Sequence, residues 1–65
     1  MNPHTLPTGT VLMVPIDGRT QRMEFLGLTV SLFFGGEMAR FRSLETDGIV
    51  LLPVSRVERE AKEAA

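Results

Sequence analysis

The sequence contains no cysteine, tyrosine or tryptophan, and its single histidine is His4. The absence of cysteine excludes disulfides and thiolate metal sites, and it fits a reducing compartment. His4 lies in an N-terminal segment between Pro3 and Pro7, where we expect no metal site. We therefore predict a protein without a bound metal or cofactor.

Targeting signals and membrane spans are also missing from the sequence. The first residues include neither the basic nor the apolar region of a secretory signal peptide. No run approaches the roughly 18 apolar residues of a membrane span. The formal net charge of −1 provides no overall field that would draw the chain to an anionic surface. These features predict a cytoplasmic protein with no membrane partner.

What the chain does have is a high apolar content for its size. Its 65 residues make one domain at most, and 43% of them are apolar. A domain this small buries only about 60% of the surface of its unfolded chain, so its stability usually needs a contribution from outside the core. Because disulfides are excluded, we expect this contribution to come from assembly into a homo-oligomer.

The most informative stretch runs from Arg22 to Phe34. Polar and apolar residues alternate over 22–25, and after Gly27 the alternation continues with its phase shifted by one residue. Side chains alternate along a strand with period 2, so such a shift sends the apolar set to the other face. A bulge absorbs the shift, and glycine tolerates the backbone of a bulge. The pattern predicts one long strand that bends at Gly27.

Three further strands flank this one, and short turns with glycine connect them. The predicted strands are Thr10–Ile16, Arg22–Phe34, Glu37–Leu44 and Ile49–Leu52, and the turns are Asp17–Gly18, Gly35–Gly36 and Glu45–Gly48. Short connections of this kind imply antiparallel pairing and a small barrel. We divide the chain into a flexible N-terminal arm (1–8), an all-β body (9–58) and a charged, fraying tail (59–65).

The end of the body changes in character after the fourth strand. Ser55 and Glu58 have the spacing of a capping box, in which each side chain satisfies a backbone N–H of the first helical turn. Residues that favour helix follow them. We expect a short helical turn that begins near Arg56.

This end of the chain resembles the last part of SH3-like barrels, in which a short helical turn adjoins the last strand. Within that class, Leu52–Pro53–Val54–Ser55–Arg56–Val57–Glu58–Arg59 is similar to the segment that closes the barrel of type II, plasmid-borne dihydrofolate reductase, and the layout from Gly9 to Pro53 is also similar. The resemblance implies an all-β, SH3-like small barrel of four to five antiparallel strands with a short C-terminal helical turn. It also implies a homo-oligomer from a bacterium or phage.

The functional residues of the reductase family do not carry over. That family lines its pore with a Val-Gln-Ile-Tyr run before the proline, where this chain has Ile49–Leu52. Its first strand carries a lysine that assists the anionic substrate, and the nearest place here, around Met13, is apolar. Reductase activity is therefore the least favoured alternative. No nucleophile stands beside a base elsewhere in the sequence, so we predict no catalytic residues.

Two groups of residues are candidates for binding. The first group is a set of arginines, because small barrels often bind the phosphate backbone of a nucleic acid through such side chains. It comprises Arg19, Arg22, Arg40 and Arg42. They predict a nucleic-acid interface. In the alternative interpretation they pair across strands with glutamates and keep the sheet soluble.

The second group is apolar and predicts a protein interface. It comprises Leu32, Phe33, Phe34, Val50 and Leu52. Adjacent phenylalanines on opposite faces of a strand cannot both enter one small core, so at least one is expected at the surface as a contact with another chain. Our preferred interpretation is a non-enzymatic binding or regulatory module that self-associates and recognises a protein partner, with nucleic-acid binding as the alternative.

Overall fold

Strands account for most of the chain in the computed structural model, which describes residues 1–33 and 35–64. In chain order the elements are a 3-10 helix at Pro3–Thr5, strand β1 at Val11–Ile16, β2 at Arg19–Ser31, β3 at Gly36–Ser43, β4 at Ile49–Pro53, helix α1 at Val54–Glu60, and strand β5 at Lys62–Glu63. The predicted all-β class is confirmed, and all five strands pair antiparallel.

The strands form one open sheet in the order β4-β3-β2-β1-β5. Strands β1 to β4 follow one another as a meander, and β5 returns to pair with β1. The predicted barrel is therefore only approximate, because the described strands do not close into a ring. Closure would require pairing between β4 and β5. However, β5 has only two residues, and the chain leaves β4 at Pro53 to enter α1.

The turn between β1 and β2 follows from the Asp17–Gly18 dipeptide. Both residues have positive φ angles, 52° and 77°, which is the backbone of a two-residue type I′ hairpin turn. Ile16 pairs with Arg19 directly across the turn. As a result β2 begins at Arg19, three residues earlier than the alternation of the sequence predicts.

The predicted bulge in the long strand is confirmed at Gly27. Phe25 pairs with Phe41, whereas Gly27 pairs with Arg40, so Leu26 is the extra residue. The φ angle of Gly27 is 140°, a value that side chains disfavour. Because the bulge shifts the alternation, Phe25 before it and Leu28 after it both pack on the core side of the sheet.

The core lies between one face of the sheet and α1. It is built from the residues Leu12, Val14, Met23, Phe25, Ala39, Phe41, Leu52, Val57 and Ala61. The rings of Phe25 and Phe41 pack edge to face, with their centroids 5.7 Å apart, a favoured aromatic geometry. The accessible surface of 4152 Å² is close to the roughly 4,100 Å² expected for a monomer of 7.2 kDa. A single chain thus encloses its own core.

The first and last described residues, Met1 and Ala64, both donate backbone hydrogen bonds to other parts of the fold. Near the N-terminus Pro3 is buried, and the amino group of Met1 donates a hydrogen bond to the Glu58 carbonyl at 3.1 Å. In the structure Ala61 is buried, and the Ala64 N–H donates to the Val11 carbonyl at 3.2 Å.

Helix α1 begins at Val54, two residues before the predicted start. Pro53 occupies the N-cap position, and no side chain caps the helix. Ser55 is therefore not a cap residue, and the predicted capping box does not form. The fixed φ of proline, −57° here, suits a helix start, and its missing N–H would have no partner in the first turn. Within the described residues, no helix has both the length and the apolar character needed to cross a membrane.

Candidate interaction surfaces

Strand alternation brings three of the four predicted arginines to the outer face of the sheet, away from the core. Arg42 pairs with Glu24 on β2 and with Ile49 on β4. Arg40 lies two residues away on the same strand, and Arg22 lies two residues from Glu24, so all three side chains share this face. Arg19 has the opposite phase and is not part of the group.

Ion pairs already engage two of the four arginines. Arg42 donates from Nε to Glu24 at 2.9 Å and from Nη1 to Asp47 at 2.7 Å. The hydrogen bond to Glu24 raises the pKa of Arg42 above its usual value, with Asp47 contributing in the same direction. Arg19 donates to Glu45 at 2.8 Å.

Of the four predicted arginines, Arg22 and Arg40 remain for a ligand. Both are exposed, and neither has a carboxylate partner among residues 1–33 and 35–64. The alternative in which arginines pair across strands with glutamates thus describes Arg19 and Arg42. The cationic surface is half as large as the arginine count suggests.

The far end of the β2–β3 hairpin presents apolar side chains to solvent. Leu32 is 94% exposed and Phe33 is 92% exposed, and Val30 beside them is also exposed. The pairs Val30–Glu37 and Ser31–Gly36 extend past the residues of β3 that pair with β4. Phe34, the third member of the predicted cluster, lies outside the described residues.

The structure divides the predicted interface residues of β4 differently. Leu52 is 5% exposed and belongs to the core, and Val50 packs against the core from the same face. The large apolar side chains that this strand exposes are those of Ile49 and Leu51, which lie on the outer face. Their signal in the sequence is weak, because a strand that is apolar on both faces shows no alternation.

A groove of about 510 Å³ separates the β2–β3 hairpin from α1. His4, Glu37, Met38, Val54 and Glu58 contribute to its walls. Two of these residues contact each other, because His4 Nε2 lies 2.7 Å from Glu37 Oε1. Nowhere in the described part of the chain do three histidine, aspartate or glutamate side chains converge as a metal site would require.

The fold and these surfaces together define a small protein built on an open antiparallel sheet with one short helix. Comparison with models of protein families, with curated proteins and with solved structures finds no match to this chain.

Proposed function

We propose that this chain is a non-enzymatic, cytoplasmic binding module of the SH3-like type, which self-associates and recognises a protein partner. The order of its elements supports the SH3-like part of the proposal. Helix α1 follows β4 directly, and β5 then pairs with β1. This order is similar to that of SH3-like barrels, in which a helical turn adjoins the last strand.

The exposure of Leu32 and Phe33 is the observation that carries the proposal of a protein partner. Large apolar side chains cluster at the hairpin end although the same chain buries its other described phenylalanines, Phe25 and Phe41. Full burial of such a side chain contributes about 1.5–3 kcal/mol relative to leaving it in water. Aromatic residues at a protruding position are the kind of side chain that dominates binding energy in protein interfaces.

Replacing Phe33 with alanine is expected to weaken partner binding at least tenfold, because a buried aromatic anchor is worth about 1.4 kcal/mol or more. The partner would first be captured by crosslinking from an extract of the source organism. Its dissociation constant would then be measured by calorimetry at 0.15 M and 1 M salt. We expect little change with salt, since apolar burial drives the association.

Leu44→Ala is the matched control for Phe33→Ala. Leu44 is also exposed and apolar, but it lies in the turn after β3. Its replacement is expected to leave the dissociation constant unchanged. Equal binding by wild type and Phe33→Ala would contradict the proposed role of the hairpin end.

Nucleic-acid binding is the alternative, and the ion pairs predict that it is weak. With Arg19 and Arg42 held by carboxylates, Arg22 and Arg40 supply about two phosphate contacts. The salt dependence would then have a log–log slope of about −1.8. We expect Arg40→Ala to abolish most of this binding in a fluorescence titration with duplex DNA. Arg59→Ala on α1 is the control and is expected to leave the binding unchanged. A slope near −6 would mean about seven phosphate contacts instead of two, and it would favour the nucleic-acid alternative.

A further inference from the structure

Strand β4 forms one edge of the open sheet. Within residues 1–33 and 35–64 it pairs with β3 alone. All five of its residues, Ile49 to Pro53, are uncharged. Natural proteins usually protect an edge strand with a lysine, an inward-facing charge or a covering segment, because an open edge pairs readily with another strand. Apart from Pro53 at its end, β4 has no such protection.

The direction of the backbone groups of β4 follows from one hydrogen bond. Ser43 N–H donates to the Gly48 carbonyl at 2.8 Å, so Gly48 faces β3. Successive residues of an antiparallel strand direct their N–H and C=O groups alternately to the two sides. The N–H and C=O groups of Ile49 and Leu51 therefore point away from β3, toward the open edge.

The positions of the prolines in the sheet are consistent with this alternation of backbone direction. The same alternation directs Val50 and Leu52 toward β3 and Pro53 toward the edge. Pro53 consequently loses no ladder hydrogen bond through its missing N–H. Pro15 follows the same rule in β1, because Phe25 N–H donates to Thr10 at 2.8 Å and thereby fixes the phase of that ladder.

The side chains of the edge are suited to a second uncharged strand. The side chains of Ile49 and Leu51 are exposed on the outer face. The backbone N–H and C=O groups of these two residues are the ones that point toward the open edge. A strand added at this edge would satisfy the backbone groups and cover both side chains at once. This is the mode of recognition in which main-chain hydrogen bonds add a strand to a sheet.

We propose that the occupant of this edge is β4 of a second copy of the chain, paired antiparallel about a two-fold axis. In one such register Ile49 of each copy lies opposite Leu51 of the other. Each of these two pairs exchanges two hydrogen bonds through the N–H and C=O groups that point toward the edge, which gives about four hydrogen bonds in total. Two sheets of five strands then become one continuous sheet.

The charges of the outer face do not oppose this dimer. Arg40 and Arg42 lie on β3, one strand away from the edge. In the dimer each is separated from its counterpart by three strand spacings, about 14 Å. This distance exceeds the screening length of about 8 Å at physiological salt. No charged side chain of β4 meets its own copy. The inference specifies the surface for the self-association in the proposed function, and it is independent of the partner site at Phe33.

Amide hydrogen exchange tests the pairing directly in the wild-type protein. At a concentration where light scattering gives twice the 7.2 kDa of one chain, we expect the amides of Ile49 and Leu51 to be protected. On dilution to the monomer these two are expected to exchange at least tenfold faster, while Val50 and Leu52 stay protected through their bonds to β3. Protection of Ile49 and Leu51 that does not depend on concentration would overturn the proposal.

Leu51→Lys tests the same surface by mutation, because a lysine on an edge strand opposes pairing with a copy. Leu44→Lys is the matched control, since Leu44 is 40% exposed and Leu51 is 41% exposed. We expect the Leu51 variant to stay monomeric at the concentration where wild type and the Leu44 variant are dimers. Circular dichroism establishes that each variant is folded, and Ile49→Lys replaces Leu51→Lys if the latter is not.

Three results would overturn the inference. The first is a wild-type chain that is monomeric up to about 1 mM, and the second is a dimer that survives in both β4 variants. The third is protection of Ile49 and Leu51 only after another protein is added, which would assign the edge to a different chain. Failure of the proposed function appears separately, as a Phe33→Ala variant that binds the partner normally.

Discussion

Replacing Phe41 with alanine is expected to remove a large fraction of the stability of the fold at 25 °C. The Phe41 side chain is fully buried and packs edge to face against Phe25. Truncation of a buried phenylalanine to alanine costs about 3–5 kcal/mol, whereas the total stability of a chain of 65 residues is about 3–10 kcal/mol. Urea unfolding followed by far-UV circular dichroism measures the loss.

Phe33→Ala is the control of the same chemistry, because this side chain is exposed. Its replacement is expected to change the free energy of unfolding by less than about 0.5 kcal/mol. Since the same variant is expected to weaken partner binding, stability and binding separate at this residue. A Phe41→Ala protein with the unfolding midpoint of wild type would show that Phe41 is not at the centre of the core.

Replacing Gly27 with valine is expected to destabilise the fold by about 1–3 kcal/mol or more. The cause is the backbone, not space, because a Cβ built at Gly27 meets no atom within 4 Å. The φ of 140° is one that a β-branched residue adopts only with strain. The strand must either keep this strained backbone or lose the bulge, and without the bulge Leu28 would no longer pair with Ala39. Thermal unfolding measures the effect as a drop in Tm.

Gly36→Val is the matched control. Gly36 also lies in a strand and has open space around its Cβ position, but its φ is not positive. Valine favours strands, so its effect at Gly36 is expected to be small or stabilising. Equal Tm values for the two valine variants would contradict the strained backbone at Gly27.

The candidate surfaces show where sequence reasoning reaches its limit. Arg40 and Arg42 are two residues apart in the sequence and therefore share a face of a strand, and the pairing of Arg42 with Glu24 brings Arg22 to the same face. Which arginines remain for a ligand depends on Glu24, which lies opposite Arg42, and on Glu45 and Asp47 in the β3–β4 turn, which bind Arg19 and Arg42. The contacts of Glu45 and Asp47 depend on the conformation of this turn, which the alternation of residues along the strands does not predict.

The sequence by itself determined the features that arise from local chemistry. The Asp17–Gly18 turn and the bulge at Gly27 follow from residues that accept positive φ. The long strand and its change of phase follow from the alternation of polar and apolar side chains. In each case neighbours along the chain supply the information, so no knowledge of the partner strand is required.

Only the tertiary structure decided which side of β4 belongs to the core and that the sheet stays open. Every residue from Ile49 to Pro53 is apolar, so alternation gives no phase. The phase comes from pairing with β3, which places Leu52 opposite the buried Ala39 and Leu51 opposite the exposed Arg40. The edge remains open because β5, with only two residues, pairs with β1. Strand pairing joins residues distant in sequence, and that is why it decides these features.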